Sequence, residues 1–331
     1  MNVIKELYNL KIGDIEENAD LTKYTTYKAG GHALAIVSPD NIEGLIKLLK
    51  YLKQKKIKHK ILGNGSNLIF TGDYDGVLIK LDNFQNLDVD GNYVTVGAGY
   101  PLTKLALRTA RMGLTGLEFA AGIPGSVGGA IYMNAGAYKS DMGYVTTTIK
   151  VLSPKLEVET LTNNDLDFHY RSSMLQKYPG FICLEATLCL RYGKADIILE
   201  VINDRKTRRL ESQPLEYPSA GSVFRNPEGD YAGRLIEEIG YKGKCIGDAC
   251  VSEKHANFII NKGNASGEDI AKLIKEIQDK VKEKYDIELK VEQEIVRWYN
   301  ENSQKKKDKK EIFIGTRYSI NYSFFDCFLC I

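Results

Sequence analysis

Three short stretches carry side chains able to move protons or hold charge. In PSAGSVFRNP (218–227), Ser222 stands between a glycine and the apolar pair Val223 and Phe224. The surroundings are not Gly-x-Ser-x-Gly, and no His/Asp pair accompanies the serine, so a hydrolase nucleophile is not indicated. It reads either as a turn serine bonded to its own backbone or as a positioned hydroxyl. In YRSS (170–173), Arg171 follows an aromatic residue in a polar turn. That is a solvated surface charge or a bidentate fork for a carboxylate or phosphate. In IELKVEQEIVRW (287–298), strict alternation puts Ile287, Leu289, Val291 and Ile295 on one face and Glu288, Glu292 and Glu294 on the other. The pattern predicts a strand over 287–297 whose acidic face is solvated or supplies an acid. The histidines at 32, 59, 169 and 255 are too scattered for a metal site.

Three glycine-rich segments suggest close approach of a ligand. GNGSN (63–67) follows a short apolar segment, and its amides could cradle a phosphate. No Gly-Lys-Ser/Thr follows, the third Rossmann glycine is missing, and Leu-Ile-Phe leads out as a strand, which excludes both common nucleotide fingerprints. YKAGGHA (27–33) lies upstream and GIPGSVGGAIYMNAGAY (122–138) downstream. The latter is no flexible linker, because Pro124 stiffens it and Ile123, Ile131, Tyr132, Met133 and Tyr138 interleave its glycines. Three such loops over about a hundred residues suit a dinucleotide bound through neutral backbone N–H groups.

The elements that must position these residues follow from hydrophobic periodicity. Strands are expected at 33–37, 60–63, 76–81, 93–99, 145–152, 181–192 and 257–261. Helices are expected at 40–56, at 101–112 with Pro101 in the first turn, at 194–212, near 230–239, and at 267–284 behind Ser266 as N-cap. Gln213-Pro214 marks a boundary. At 331 residues the chain is long for one core. A net charge of +2 gives no case for nucleic-acid binding. No apolar run suits a membrane span, and residues 1–20 are polar and acidic rather than signal-like, so cytoplasm is the default. Cys183 and Cys189 read as buried inert thiols, Cys245 and Cys250 lack metal-ligand partners, and no disulfide scaffold is indicated. Cys327 and Cys330 form a lone CxxC. The lysine cluster after Asn300 marks a tail, 301–331, outside the packed domains and partly disordered.

GNGSNLIF, EFAAGIPGSVGGAIYMNAGAY, YRSS, SAGSVFRNP and GDACVSEKHANFIIN, in that order, resemble the UDP-N-acetylenolpyruvoylglucosamine reductases, also called UDP-N-acetylmuramate dehydrogenases, of bacterial peptidoglycan synthesis. The likeness runs from about Thr22 to Ile295 and fits the shorter form of the family. It implies an α+β chain: a vanillyl-alcohol-oxidase/PCMH-type FAD-binding fold of two α+β subdomains (1–82 and 83–204) and a C-terminal α+β substrate domain (205–300). It implies non-covalent FAD, since no histidine stands in 63–68, with NADPH as co-substrate and UDP-N-acetylglucosamine enolpyruvate as substrate. No membrane insertion or obligate protein partner is implied.

By the same resemblance, hydride passes from NADPH to the flavin and from flavin N5 to C3 of the enol ether. Arg171 and Glu292 hold the enolate-like charge, and Ser222 protonates C2. Flavin contacts are implied for Tyr27, Gly30, Gly31, Gly63, Asn64, Gly65, Ser66 and Asn67. They are implied also for Gly122, Ile123, Pro124, Gly125, Ser126, Gly128 and Gly129. Arg225 and Asn226 are expected to face the substrate diphosphate. Two departures stand out. Arg225 replaces a common lysine, and the altered last strand leaves Glu294 as the alternative to Glu292. A different flavin oxidoreductase on this fold is opposed by the motifs around Ser222 and Arg225. A nucleotide-sugar or flavin-binding protein without turnover is the further alternative, and of these a nucleotide-sugar binder would lack the flavin's yellow colour.

Overall fold

The computed structural model describes residues 3–297; the tail 301–331, with Cys327 and Cys330, lies outside the described residues. The first sheet orders its strands Gly13–Asp20, His32–Pro39, Tyr74–Ile79, His59–Ile61. The last three run parallel, so a crossover must join them. Helix Ile42–Gln54 supplies it, capped by the Asn41 side chain, which accepts from the Gly44 amide at 2.9 Å. The helix buries Leu45, Leu48, Leu49 and Leu52, the i, i+3, i+4, i+7 face of an amphipathic helix. Against it the inner strand His32–Pro39 buries Ala33, Ala35, Ile36 and Val37 in near-continuous order, as a strand covered on both faces must.

A five-stranded antiparallel sheet follows, ordered Val158–Thr162, Thr146–Leu152, Ile182–Cys189, Tyr93–Gly97, Leu87–Asp90. Helix Leu102–Arg111 flanks it and begins one residue later than expected, with Pro101 as its extended N-cap. Leu48, Val77 and Ile79 share one hydrophobic core with Val96, Ile149 and Leu188, so residues on either side of 82/83 pack together. The expected division at 204/205 falls inside the continuous helix Ala195–Ser212, whose Ile198 and Ile202 pack on Ala110 of the preceding segment. The break comes instead at Gln213, extended at φ −118° and ψ 146° ahead of Pro214.

The C-terminal region has its own core. Helix Gly267–Tyr285 starts with a reciprocal Ser266–Asp269 capping box and buries Ile270, Leu273, Ile274, Ile277 and Val281. These residues pack with Phe224, Leu235, Ile259 and Leu289, and with Tyr27, Ala29 and Ile69 from the N-terminal half. Two expectations change here. Only Glu294–Val296 of the predicted 287–297 strand is a strand, parallel to Leu68–Phe70. Val291 makes a single bridge to Phe224. The chain changes partner between these points: the Glu292 amide donates to Val223 O at 2.8 Å, and the Glu294 amide donates to Asn67 O at 2.9 Å. Cys245 and Cys250 are also joined in a disulfide, a pairing that the reading of these cysteines as lacking metal-ligand partners did not foresee. They stand directly opposite each other on the paired strands Cys245–Ile246 and Ala249–Val251, a register that sequence spacing does not reveal.

Candidate active site

Arg171 is held in place by the helix before it. Helix Val127–Met133 ends at Asn134, left-handed at φ +41°. The Asn134 amide side chain donates to His169 O at 2.9 Å and accepts from the Gly143 amide at 2.9 Å. Ser173 Oγ and Gln176 Nε2 both donate to Tyr132 O, at 2.8 and 2.7 Å. Between these anchors Arg171 adopts φ +55°, a conformation that non-glycine residues enter rarely and hold only when their surroundings impose it. The result aims the guanidinium inward. Nε donates to Glu292 Oε1 at 2.7 Å and Nη2 donates to Gly136 O at 2.7 Å.

The two candidate acids occupy different surroundings. Glu292 is 14% exposed, and its carbonyl accepts from Asn67 Nδ2 at 3.1 Å. Glu294 is 43% exposed and pairs with Lys60 Nζ at 2.5 Å. Both line the same cavity, a cleft of about 1090 Å³. Arg171, Ser222, Gly63, Asn64, Gly65, Ser66 and Asn67 line it as well, with Ile123, Pro124, Gly125, Ser126, Gly128 and Gly129. Thus three segments far apart in sequence bring Arg171, Ser222 and Glu292 to one space.

Other expected contacts lie outside that lining. Tyr27 is 1% exposed and donates its hydroxyl to Gln293 Oε1 at 2.9 Å. A Cβ on Gly31 would stand 2.3 Å from Asp73 Oδ1, and one on Gly30 2.9 Å from Leu21 Cβ, so both glycines serve chain packing. Gly122 accommodates Arg209, whose Cδ would be 2.8 Å from a Cβ there. Arg225 Nη2 donates to Arg171 O at 3.0 Å, which places it behind the turn. Asn226 is exposed at the surface, and its Oδ1 accepts from the Ala232 amide at 3.1 Å.

The cavity wall fits a dinucleotide, though not in the way its glycines alone suggest. The amides of Val127 and Gly128 already donate to Tyr100 O and Ala98 O, at 2.9 and 2.8 Å, and that of Gly129 to Ser126 Oγ at 3.3 Å. The N–H groups of Asn64, Gly65, Ser66 and Asn67 have no partner among the described residues. Gly65 is left-handed at φ +60°, the kind of turn in which successive amides converge on an anion. A Cβ on Gly63 or Gly129 would meet only Ser126 Oγ, at 3.2 and 3.4 Å, so both present open backbone faces. The free amides of 64–67 and the open backbone faces of Gly63 and Gly129 fit a phosphate-bearing cofactor such as FAD.

Comparison with known proteins identifies the family. Residues 33–157 match the model of an FAD binding domain, and residues 213–296 match the C-terminal domain of UDP-N-acetylenolpyruvoylglucosamine reductase. The chain is 47% identical over 297 residues to the UDP-N-acetylenolpyruvoylglucosamine reductase of Bacillus licheniformis, covering 89% of this chain and 98% of that protein. The chain belongs to the UDP-N-acetylenolpyruvoylglucosamine reductase family. The Bacillus subtilis reductase is 42% identical over 296 residues, covering 89% and 98%. The crystal structure of the Thermus caldophilus reductase superimposes with a TM-score of 0.73 at 34% identity, covering 85% of this chain and 98% of that one. The reductase fold is therefore a PCMH-type FAD-binding domain followed by the family's C-terminal domain.

Four residues at or beside the reductase cavity escape the motif reading. Lys60 neutralises Glu294, Arg209 reaches the cavity from helix Ala195–Ser212, Tyr132 lines it, and Gln293 sits behind it. Burial weakens the hold of the Arg209 guanidinium on its proton, and burial first, then Glu294, pushes the Tyr132 hydroxyl up. Cys183 also lines the space, but burial drives its thiol up to about 12, leaving it inert as expected. Spacing assigns none of the four to the site: Lys60, Tyr132 and Arg209 sit on an ordinary strand or helix, and Gln293 in the bend before Glu294–Val296.

Proposed function

We propose that this protein catalyses the NADPH-dependent reduction of UDP-N-acetylglucosamine enolpyruvate to UDP-N-acetylmuramate, a cytoplasmic step of peptidoglycan synthesis. One observation supports this most: Arg171, Ser222 and Glu292 line a single cavity together with residues 64–67, whose amides have no partner among the described residues. Bound there, FAD supplies hydride storage between the nicotinamide and the enol ether. In this reading the 63–67 loop, through its free amides, and the 123–129 wall would hold it.

The chain's own residues then manage charge and a proton. Hydride added at C3 leaves negative charge at C2 beside the substrate carboxylate. Arg171 is suited to hold it, because its side chain is only 22% exposed, where water screens its charge less than at the surface. Glu292 and Gly136 occupy Nε and Nη2 and fix the plane of the fork, while Nη1 has no partner among the described residues. Ser222 gives its proton to C2; a serine hydroxyl is a weak acid, but a carbanionic carbon is a far stronger base. In this reading Arg225 can keep Nη2 on Arg171 O and Asn226 can keep Oδ1 on the Ala232 amide, and the substrate diphosphate is met by their other side-chain N–H donors, which have no partner among the described residues. The test is NADPH oxidation by FAD-loaded protein with and without the enolpyruvyl nucleotide. Stimulated turnover is expected, and its absence overturns the reading.

A further inference from the structure

Gln293 lies between the two glutamates, 3% exposed, and uses both ends of its carboxamide. Nε2 faces three successive carbonyls of the serine loop: Ala220 at 3.0 Å, Gly221 at 3.1 Å and Ser222 at 3.4 Å. Oε1 accepts the Tyr27 hydroxyl, and Tyr27 is itself held by Asn261 Nδ2, which donates to its carbonyl at 2.9 Å. The residues just after the serine have separate supports. The Val223 amide donates to Asn257 O at 2.9 Å, and the Phe224 amide and carbonyl both bond the Asn257 side chain, at 3.0 and 2.8 Å. Ser222 itself makes a single antiparallel bridge to Phe258, while Gly221 before it is left-handed at φ +74°, with nothing within 4 Å of where its Cβ would stand.

We propose that Gln293 is a positioning residue, whose carboxamide fixes the 220–222 loop and so sets the Ser222 hydroxyl relative to Glu292. The inference rests on the reading of Ser222 as proton donor. An uncharged carboxamide suits the place because it donates and accepts at once. A methionine offers no strong donor, and a carboxylate would face carbonyl oxygens with an anion.

The test uses the full-length, FAD-loaded protein and separates the two halves of the reaction. Gln293→Met keeps the side chain's length, and flavin reduction by NADPH should stay within about twofold of wild type. Flavin reoxidation by saturating UDP-N-acetylglucosamine enolpyruvate should fall about tenfold or more, with KM changed far less. Its solvent deuterium isotope effect should rise as proton delivery becomes limiting. Gln293→Glu should lose more. Wild-type reoxidation and isotope effect in Gln293→Met overturn the inference, as does a parallel fall of both half-reactions. Should Gln293→Met fail to hold flavin, Tyr27→Phe, which frees the carboxamide to rotate, decides by the same comparison. If wild-type flavin is not reoxidised by this substrate at all, the functional reading falls first and the positioning role with it.

Discussion

At the scale of single residues, the site depends on which of two nearby acids meets the arginine. Alternation put Glu292 and Glu294 on one strand face, but the backbone between them changes partner, so the two carboxylates make different ion pairs. Glu292→Gln is expected to slow flavin reoxidation by substrate roughly 10²-fold or more, because it weakens the hold on a half-buried guanidinium. Glu294→Gln removes a partly exposed pair with Lys60, worth about 1 kcal/mol or less, so a change beyond about fivefold is not expected. Single-turnover stopped-flow on both variants checks this. A second titrating residue bears on stability. Burial, with Lys242 adding, holds the His255 imidazole below its ordinary range, against Phe258 at 4.8 Å between ring centres. A histidine lowered in the folded state binds its proton more readily unfolded, so its stabilisation is intact above the ordinary value and is lost as pH falls through it. Urea midpoints between neutral and mildly acidic pH should therefore fall less for His255→Gln than for wild type.

At the scale of elements, the glycines of the 122–138 stretch divide by task. A Cβ on Gly128 would lie 2.9 Å from Ala98 Cβ and 3.2 Å from Ala98 O, because helix Val127–Met133 presses on the chain following Tyr93–Gly97. Gly129, one residue on, lines the cavity and meets only the Ser126 hydroxyl at 3.4 Å. Gly128→Ala is expected to destabilise the protein by about 1–3 kcal/mol through overpacking. Gly129→Ala should leave the thermal midpoint of flavin-free protein nearly unchanged and weaken FAD binding, on the order of tenfold, if its methyl displaces the ring system. Denaturation curves and flavin titrations of the two variants distinguish the tasks, and equal effects of both would place Gly129 in packing alone.

At the scale of the whole molecule, the cavity draws its walls from both halves of the chain. The Leu68–Phe70 and Glu294–Val296 strands pair across them, and Tyr27, Ala29 and Ile69 enter the C-terminal core. A ligand spanning the 63–67 loop and the 123–129 wall binds the folded form only, so FAD should stabilise the protein by mass action. At a hundredfold excess over Kd the gain is about 2.7 kcal/mol, an upward shift of several degrees in thermal midpoint. Calorimetry of stripped and reloaded protein measures it. No helix among the described residues is long and apolar enough to cross a membrane.

Local chemistry was legible throughout the sequence. Period-3.6 and period-2 patterns located helix Ile42–Gln54, helix Gly267–Tyr285 and strand Ile182–Cys189, because burial of one face is written into residue spacing. Ordered motifs identified the family and its flavin domain. Pairings between distant segments were not legible, since they depend on register and on which backbone groups are left over after folding. Tertiary structure alone joined Cys245 to Cys250, gave Arg171 to Glu292 and Lys60 to Glu294, and aimed Gln293 at the serine loop. It also satisfied the amides of Val127, Gly128 and Gly129 within the protein while leaving those of 64–67 without a partner among the described residues. Glycines mark where backbone is close to something; only the fold decides whether that something is another chain segment or a ligand.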